Sequence, residues 1–282
     1  MPLIVENLSY TYNAGLPSAR AALSNVSFEC KEGRIVSVLG HTGSGKSTLA
    51  QHLNGLIAPQ SGRVVADGDE TGRSAAETRR VRSKVGLVFQ YPEEQIFSDS
   101  VFDEIAFAPR NWGVPEAEIP KRVKDAAREA GLDEALLDLS PYGLSGGQKR
   151  SVAITSVIAA RPSYLVLDEP AAGLDCDAAA ALVSMIKNFA ASGAGVVLIT
   201  HDIELALSLS DMILLLEDGR AVSFGTPEET AEFVVSRKVK GLAVPEILGI
   251  SAALREAGKI ETLAWSVDGL MAQIRKRKNG LA

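Results

Sequence analysis

Glycines at 40, 43 and 45, a lysine at 46 and hydroxyls at 47 and 48 are the residue types that hold a chain of phosphates. The stretch Gly40-His41-Thr42-Gly43-Ser44-Gly45-Lys46-Ser47-Thr48 fits G-x-x-x-x-G-K-[ST], the phosphate-binding P-loop. Its glycines let the backbone turn tightly and aim N–H groups at one anion. A helix opening at its end adds positive potential. In that motif Lys46 reaches the β- and γ-phosphates and Ser47 offers its hydroxyl to Mg²⁺.

Four further stretches carry chemistry. Ser163–Asp168 reads as a buried-type strand that ends on Asp168-Glu169. An aspartate there can hold Mg²⁺ through water, and the following glutamate can activate the attacking water. Val85–Gln90 ends a strand on a glutamine able to reach a metal or that water, and Tyr91-Pro92 stops it. Gly195–Thr200 ends on His201, one of three histidines, where ligands bind in doubly wound sheets. Leu144-Ser145-Gly146-Gly147-Gln148-Lys149-Arg150 precedes an apolar helix expected over 151–160, which makes a second anion-binding terminus. Either the chain binds two anions, or this second loop completes a site on another copy.

These stretches need elements to position them. The apolar, β-branched run 34–39 is a strand ahead of the P-loop, and 47–54 has helical spacing after it. Residues 3–12 and 23–30 read as strands, with Tyr10 and Tyr12 on one face. Tyr12 is either a platform for an adenine ring or part of the sheet packing. Residues 63–66 form a short strand, and basic 79–84 is a solvated helix face. Between 100 and 139 no strand pattern is visible. Val101, Ile105 and Ala108 share a helical face beside Phe102, and 115–131 is a second helix, so a helical insert is expected. Asp211–Glu217 and Arg220–Phe224 flank an Asp-Gly hairpin turn. Helices are expected over 227–239, 246–257 and 265–278, as a separate appendage ending in the basic run 275–278.

Composition narrows the partners. A net charge of −6 over 282 residues argues against broad nucleic-acid binding, which needs a basic face. No apolar run approaches the ~20 residues of a membrane helix, and no basic-then-apolar signal opens the chain. Cys30 and Cys176 fit neither a disulfide framework nor a zinc pattern, so a reduced cytoplasmic setting is expected. Any membrane role then comes through a partner.

The P-loop, Gln90, LSGGQKR (144–150), YLVLDEP (164–170) and His201, in this order, resemble the nucleotide-binding subunit of ABC transporters. The match runs over about residues 1–226, and LSGGQ is that family's own signature. VGLVFQYPEEQIF (85–97), GHTGSGKSTLAQHLNGL (40–56) and GLAVPEILGISAALREAG (241–258) are similar to the ATPase subunits of energy-coupling factor transporters. The Gln90-Tyr91-Pro92 form is like the second of their two paralogues. The resemblance implies an α/β P-loop NTPase fold of ABC type. It has an N-terminal antiparallel β region, a helical subdomain at about 91–160 and a C-terminal helical extension over 227–282.

The resemblance also implies ATP and Mg²⁺ as cofactors, and ATP hydrolysis that powers uptake of a vitamin or transition-metal ion. Gly40, His41, Thr42, Gly43, Ser44, Gly45, Lys46, Ser47 and Thr48 would bind phosphates, with Ser47, Gln90 and Asp168 around the metal. Glu169 would be the general base and His201 would hold the γ-phosphate, with Gln90 the third catalytic residue. Tyr12 would stack on adenine. Ser145, Gly146, Gly147 and Gln148 would bind the γ-phosphate held by a second ATPase subunit, identical or paralogous, and Asp175 would lie between the two. A transmembrane coupling subunit docking on 91–112 and a substrate-capturing membrane protein would complete the assembly on the cytoplasmic face of the membrane. Cys176, Ala171 and Ser151 depart from the family's usual residues without touching the phosphate or metal positions. The rival readings are an ordinary ABC importer ATPase and a soluble ABC protein acting on nucleic acid or ribosomes.

Overall fold

Every residue of Ile35–Leu39 (β3) is buried, as it is in Tyr164–Asp168 (β7) and Gly195–Thr200 (β8). Continuous apolar strands of this kind belong inside a parallel sheet covered on both faces. The computed structural model, which describes residues 1–237 and 239–278, places them there. The remaining strands are Leu3–Tyr12 (β1), Arg20–Cys30 (β2), Ser61–Ala66 (β4), Asp69–Glu70 (β5), Val85–Val88 (β6), Met212–Glu217 (β9) and Arg220–Gly225 (β10). A six-stranded sheet runs β10-β9-β3-β8-β7-β6, parallel except for the antiparallel edge β10. A four-stranded antiparallel sheet runs β2-β1-β4-β5. Asp218 and Gly219 both take positive φ, the backbone of the tight turn expected between β9 and β10.

The helices are Lys46–Leu53 (α1), Ala75–Lys84 (α2), Val101–Asn111 (α3), Ile119–Glu129 (α4), Gly146–Ala159 (α5), Cys176–Ala191 (α6), Ile203–Leu209 (α7), Pro227–Ser236 (α8), Glu246–Glu256 (α9) and Val267–Lys278 (α10). Leu49, Ala50 and Leu53 of α1 share one core with Val5, Leu8 and Val26 of the antiparallel sheet and Val38, Val166 and Ile199 of the parallel one. The helix after the P-loop is thus packed into a core that both sheets share. Ile154 and Ile158 of α5 and Met185, Ile186 and Phe189 of α6 cover Leu165, Leu167 and Leu198. The insert has its own core, in which Val101, Ile105, Ile119 and Val123 meet Val152 of α5. Ala108 is only half-buried, whereas Ala106 and Pro109 are buried, because α3 packs against both α4 and α5.

Two expectations need correction, and a third gains detail. The helix expected from 151 begins at Gly146, since Ser145 and Gln148 form a reciprocal capping box that offsets the poor helix propensity of two glycines. The basic face at 79–84 is solvated as expected, with Arg79, Arg80 and Arg82 exposed, and it also makes polar contacts. Arg80 and Lys84 both pair with Asp69, and Arg82 donates to the Gly55 carbonyl beyond α1. The C-terminal segment does not stand apart. Ala231, Val234, Val239, Leu242, Leu248 and Leu263 are buried with Leu39, Ile203, Ala206 and Leu215. Lys238 and 279–282, parts of the expected 227–282 extension, lie outside the described residues.

Because Leu248 is fully buried in this shared core, Leu248→Ala should destabilise the whole chain by about 3 kcal/mol. Urea unfolding followed by signals from both the sheet and the tail would check it. A transition confined to the tail is the contrary result.

Candidate active site

β3 stops at Leu39 and α1 starts at Lys46, and the loop between them forms one wall of a cavity of about 460 Å³. Gly45 caps α1 at φ 104°, and a Cβ there would lie 2.4 Å from the Ala22 carbonyl oxygen, so the loop closes onto β2 only with glycine. Thr42, Gly43, Gly45, Lys46, Ser47 and Thr48 line the cavity. Gly40, His41 and Ser44 do not. Gly40 contributes its carbonyl to Lys46 Nζ at 2.6 Å, Ser44 is buried, and His41 turns away with Nε2 3.3 Å from Asp218 Oδ1.

Lys46 is buried and its Nζ also donates to the His41 carbonyl at 3.1 Å, with Glu169 Oε1 at 4.0 Å. Burial lowers its pKa, against the pull of Glu169 and Asp168. Asp168, at the end of β7, is 5% exposed, and its Oδ1 has no hydrogen-bond partner. Burial raises its pKa, opposed by the Ser47 hydroxyl. An unpartnered buried carboxylate oxygen facing a hydroxyl suits a divalent cation, and Gln90 lines the same cavity. The donor set of Ser47, Gln90 and Asp168 therefore fits the Mg²⁺ that the motifs imply.

Glu169 sits at φ +50°, a strained backbone for a non-glycine residue. Its N–H donates to the Ile199 carbonyl at 2.9 Å, and its Oε2 lies 2.9 Å from His201 Nδ1. These contacts turn the carboxylate into the cavity. Tyr12 stands at the other end, its hydroxyl 3.3 Å from Thr48 Oγ1 and its ring edge-on to Tyr10 at 4.9 Å. Tyr10 in turn meets His52, whose pKa burial lowers against the opposing contact of its Nδ1 with the Thr48 carbonyl at 2.7 Å.

Ser145, Gly146, Gly147 and Gln148 are not brought to this cavity. Ser145, Gly147 and Gln148 line a second one, shared with Asp175, whose carboxylate caps α6 through Ala178 N–H at 2.8 Å. The Ser145 N–H donates to Gln148 Oε1 at 3.0 Å, and the Ser145 hydroxyl accepts from Gln148 N–H at 3.3 Å. The S-x-x-Q spacing was a readable signal for that cap.

Two residues escaped the sequence reading. Arg20, at the start of β2, lines the cavity, and its guanidinium lies 3.5 Å from where a Cβ of Gly43 would be. Arg150 is buried and ties three segments together. It bonds Glu93 at 3.0 and 2.7 Å, the Pro170 carbonyl at 3.3 Å and the Ala172 carbonyl at 2.5 Å. Burial pushes the Glu93 carboxyl up, but the Arg150 hydrogen bonds outweigh it and hold it below the usual range. The only signal for Arg150 was its place at the end of LSGGQKR.

A phosphate cradle, an acidic strand end and a histidine-held glutamate around one cavity define a P-loop nucleoside triphosphate hydrolase. The comparisons refine this. The ABC transporter family profile matches residues 23–172. The energy-coupling factor transporter ATP-binding protein EcfA2 of Symbiobacterium thermophilum is 42% identical over 267 residues, 95% of this chain and 91% of the relative. The solved structure of cbiO1 from Clostridium perfringens, described as part of the ABC transporter complex cbiONQ, has a TM-score of 0.72 at 35% identity. It covers 84% of this chain and 95% of its own. A dimeric post-hydrolysis structure of the ATP-binding cassette MJ0796, bound to ADP and Pi, has a TM-score of 0.71 at 30% identity, over 80% of this chain and 99% of its own. The chain belongs to the ABC transporter family, as an ATP-binding subunit of the energy-coupling factor type, and its activity is ATP hydrolysis coupled to transport.

Removing the guanidinium leaves Glu93 half-buried and unpaired. Arg150→Ala should cost about 2–3 kcal/mol, below the full penalty of a wholly buried pair because Glu93 keeps some solvent contact. Chemical denaturation would measure it. Lys at 150 should recover only part, since it cannot make the forked contacts.

Proposed function

We propose that this chain binds Mg-ATP between its P-loop cavity and the signature loop of a second ATPase subunit, with Glu169 as the general base. The observation that carries the reading is the Glu169 carboxylate, held 2.9 Å from His201 and 4.0 Å from Lys46 at the mouth of the phosphate cradle. Glu169 would take up the proton of the attacking water, and His201 would keep the carboxylate aimed while contacting the γ-phosphate. Lys46 would exchange its loop carbonyls for the β- and γ-phosphate oxygens, and Arg20 would add a second positive charge beside Gly43. Mg²⁺ held by Ser47, Gln90 and Asp168 would supply charge neutralisation between the β- and γ-phosphates. Tyr12 would stack on the adenine.

The separation of the two cavities supports a site shared between subunits. The capping box occupies the Ser145 and Gln148 amides and leaves those of Gly146 and Gly147 to meet an anion from outside the chain. ATP touching both subunits would favour the closed pair, and loss of the γ-phosphate contact would release it. Among the described residues no helix is long and apolar enough to cross a membrane. Transport would then pass through a transmembrane coupling subunit and a substrate-capturing membrane protein, with this chain bound peripherally at the cytoplasmic face. The exposed rings of Tyr91, Phe97 and Phe107, the last two in edge contact at 4.9 Å, support docking on 91–112. The C-terminal extension 227–282 would add to the contact between ATPase subunits. The transported class would be a vitamin or a transition-metal ion.

Glu169→Gln should lower turnover by roughly 10²–10⁴-fold while ATP still binds. Steady-state hydrolysis and nucleotide titration check both halves, and near-normal hydrolysis would sink the base assignment. A mild-detergent pull-down from native membranes should recover a second ATPase, one coupling protein and a small membrane-embedded binder. Recovery of ordinary permease subunits, or of ribosomes alone, would overturn the account of what the ATPase powers.

A further inference from the structure

The connection between α8 and α9 touches the P-loop itself. Val239 and Leu242 are buried in one cluster with Leu39, the last residue before the loop, and Leu215 of β9. Between them, Gly241 takes φ +66°, and a Cβ there would lie 2.4 Å from His41 Cβ. No larger residue could rest against His41 without moving it. Lys240 Nζ bonds both carboxylate oxygens of Asp218, at 2.8 and 2.9 Å. Asp218 in turn lies 3.3 Å from His41 Nε2, a buried atom with no hydrogen-bond partner, and it lines the nucleotide cavity. The next residue, Gly219, donates its N–H to the Ser44 carbonyl at 2.9 Å. The β9–β10 turn is therefore fastened to the P-loop on one side and to the C-terminal connection on the other.

We propose that Lys240 and Gly241 are positioning residues for the P-loop, acting through Asp218 and His41, so that docking of the C-terminal segment and nucleotide binding are coupled. The inference rests on reading the P-loop as the nucleotide cradle. A cradle made of backbone N–H groups works only if those groups already point at one place. His41 is the second residue of that cradle, and its side chain is enclosed by the connection and the turn. Moving the connection releases the side chain and, with it, the His41–Thr42 backbone. The Lys240–Asp218 pair is exposed on both sides, so it contributes little stability of its own, and its loss should register at the site rather than in the fold. Coupling is reciprocal. By whatever factor the docked segment tightens nucleotide binding, bound nucleotide tightens the docking. A partner subunit that takes hold of the C-terminal helices would then alter ATP affinity without touching the cavity.

The test uses the full chain and Mg-ATP and Mg-ADP as probes. Lys240→Ala, Lys240→Arg and Gly241→Ala are compared with Gly249→Ala, where a Cβ meets nothing within 4 Å. Dissociation constants, KM, kcat and melting temperature are measured, together with amide hydrogen exchange over 239–248 with and without nucleotide. Lys240→Ala should weaken nucleotide binding about threefold and Gly241→Ala about tenfold, raising KM more than they lower kcat. Lys240→Arg should restore the wild-type affinity, and Gly249→Ala should match wild type throughout. In the wild type, nucleotide should slow exchange over 239–248, and in Lys240→Ala this protection should shrink. Unchanged affinity in Lys240→Ala, with exchange over 239–248 indifferent to nucleotide, would overturn the proposal. Lys240→Ala removes only an exposed side chain, so it decides the matter even if Gly241→Ala fails to fold. A wild-type chain that binds no nucleotide would instead bring down the cradle reading, and this inference with it.

Discussion

The molecule is organised around charges that it holds away from water before their ligand arrives. Lys46, Asp168 and Glu169 face one cavity, the first two buried, and Asp168 keeps an oxygen with no partner. Burial moves Lys46 and Asp168 toward their neutral forms, in opposite directions on the pKa scale. A polyphosphate with a divalent cation reverses both tendencies at once, because each charge then has its counterpart. Such a site must be built before it is used, since a water-filled, mobile version would screen the charges it relies on. The two sheets supply that rigidity. β3 and β7 deliver Gly40 and Asp168 at strand ends on either side of β8, and α1 is gripped by both sheets.

The same constraint explains how segments distant in sequence share a fate. The helical insert has a core of its own, and α5 is common to that core and to the cover of the parallel sheet. What links the insert to the site is Arg150. One guanidinium joins the segment after Gln90, the start of α5 and the loop after Glu169. A planar, forked set of hydrogen bonds therefore bridges the segment that follows Gln90 and the loop that follows Glu169.

The sequence was most legible where one local rule decided the outcome. β-Branched runs placed β3, β7 and β8 within a residue or two, the Asp-Gly pair placed the β9–β10 turn, and motif spacing placed Lys46, Asp168, Glu169 and His201 around one cavity. It was least legible where partners lie far apart in the chain. Glu93 and Arg150 are separated by 57 positions, and Lys240 and Asp218 by 22. No periodicity marks such pairs, because each residue alone looks like a solvated charge. The early start of α5 was masked for a different reason. The apolar run that marks the helix begins only at Ser151, and the reciprocal cap at Ser145 and Gln148 starts the helix ahead of it.

Arg150 also bears on how this chain can drift. Its donors are committed to one carboxylate and two backbone carbonyls, and the carbonyls persist whatever residues stand at 170 and 172. Only Glu93 is free to change by mutation. A change at either 93 or 150 alone strands a charge, so natural variants should exchange the two together or leave both untouched. The pair is a lock that evolution has to turn with two keys, set at the joint between the insert and the catalytic strand.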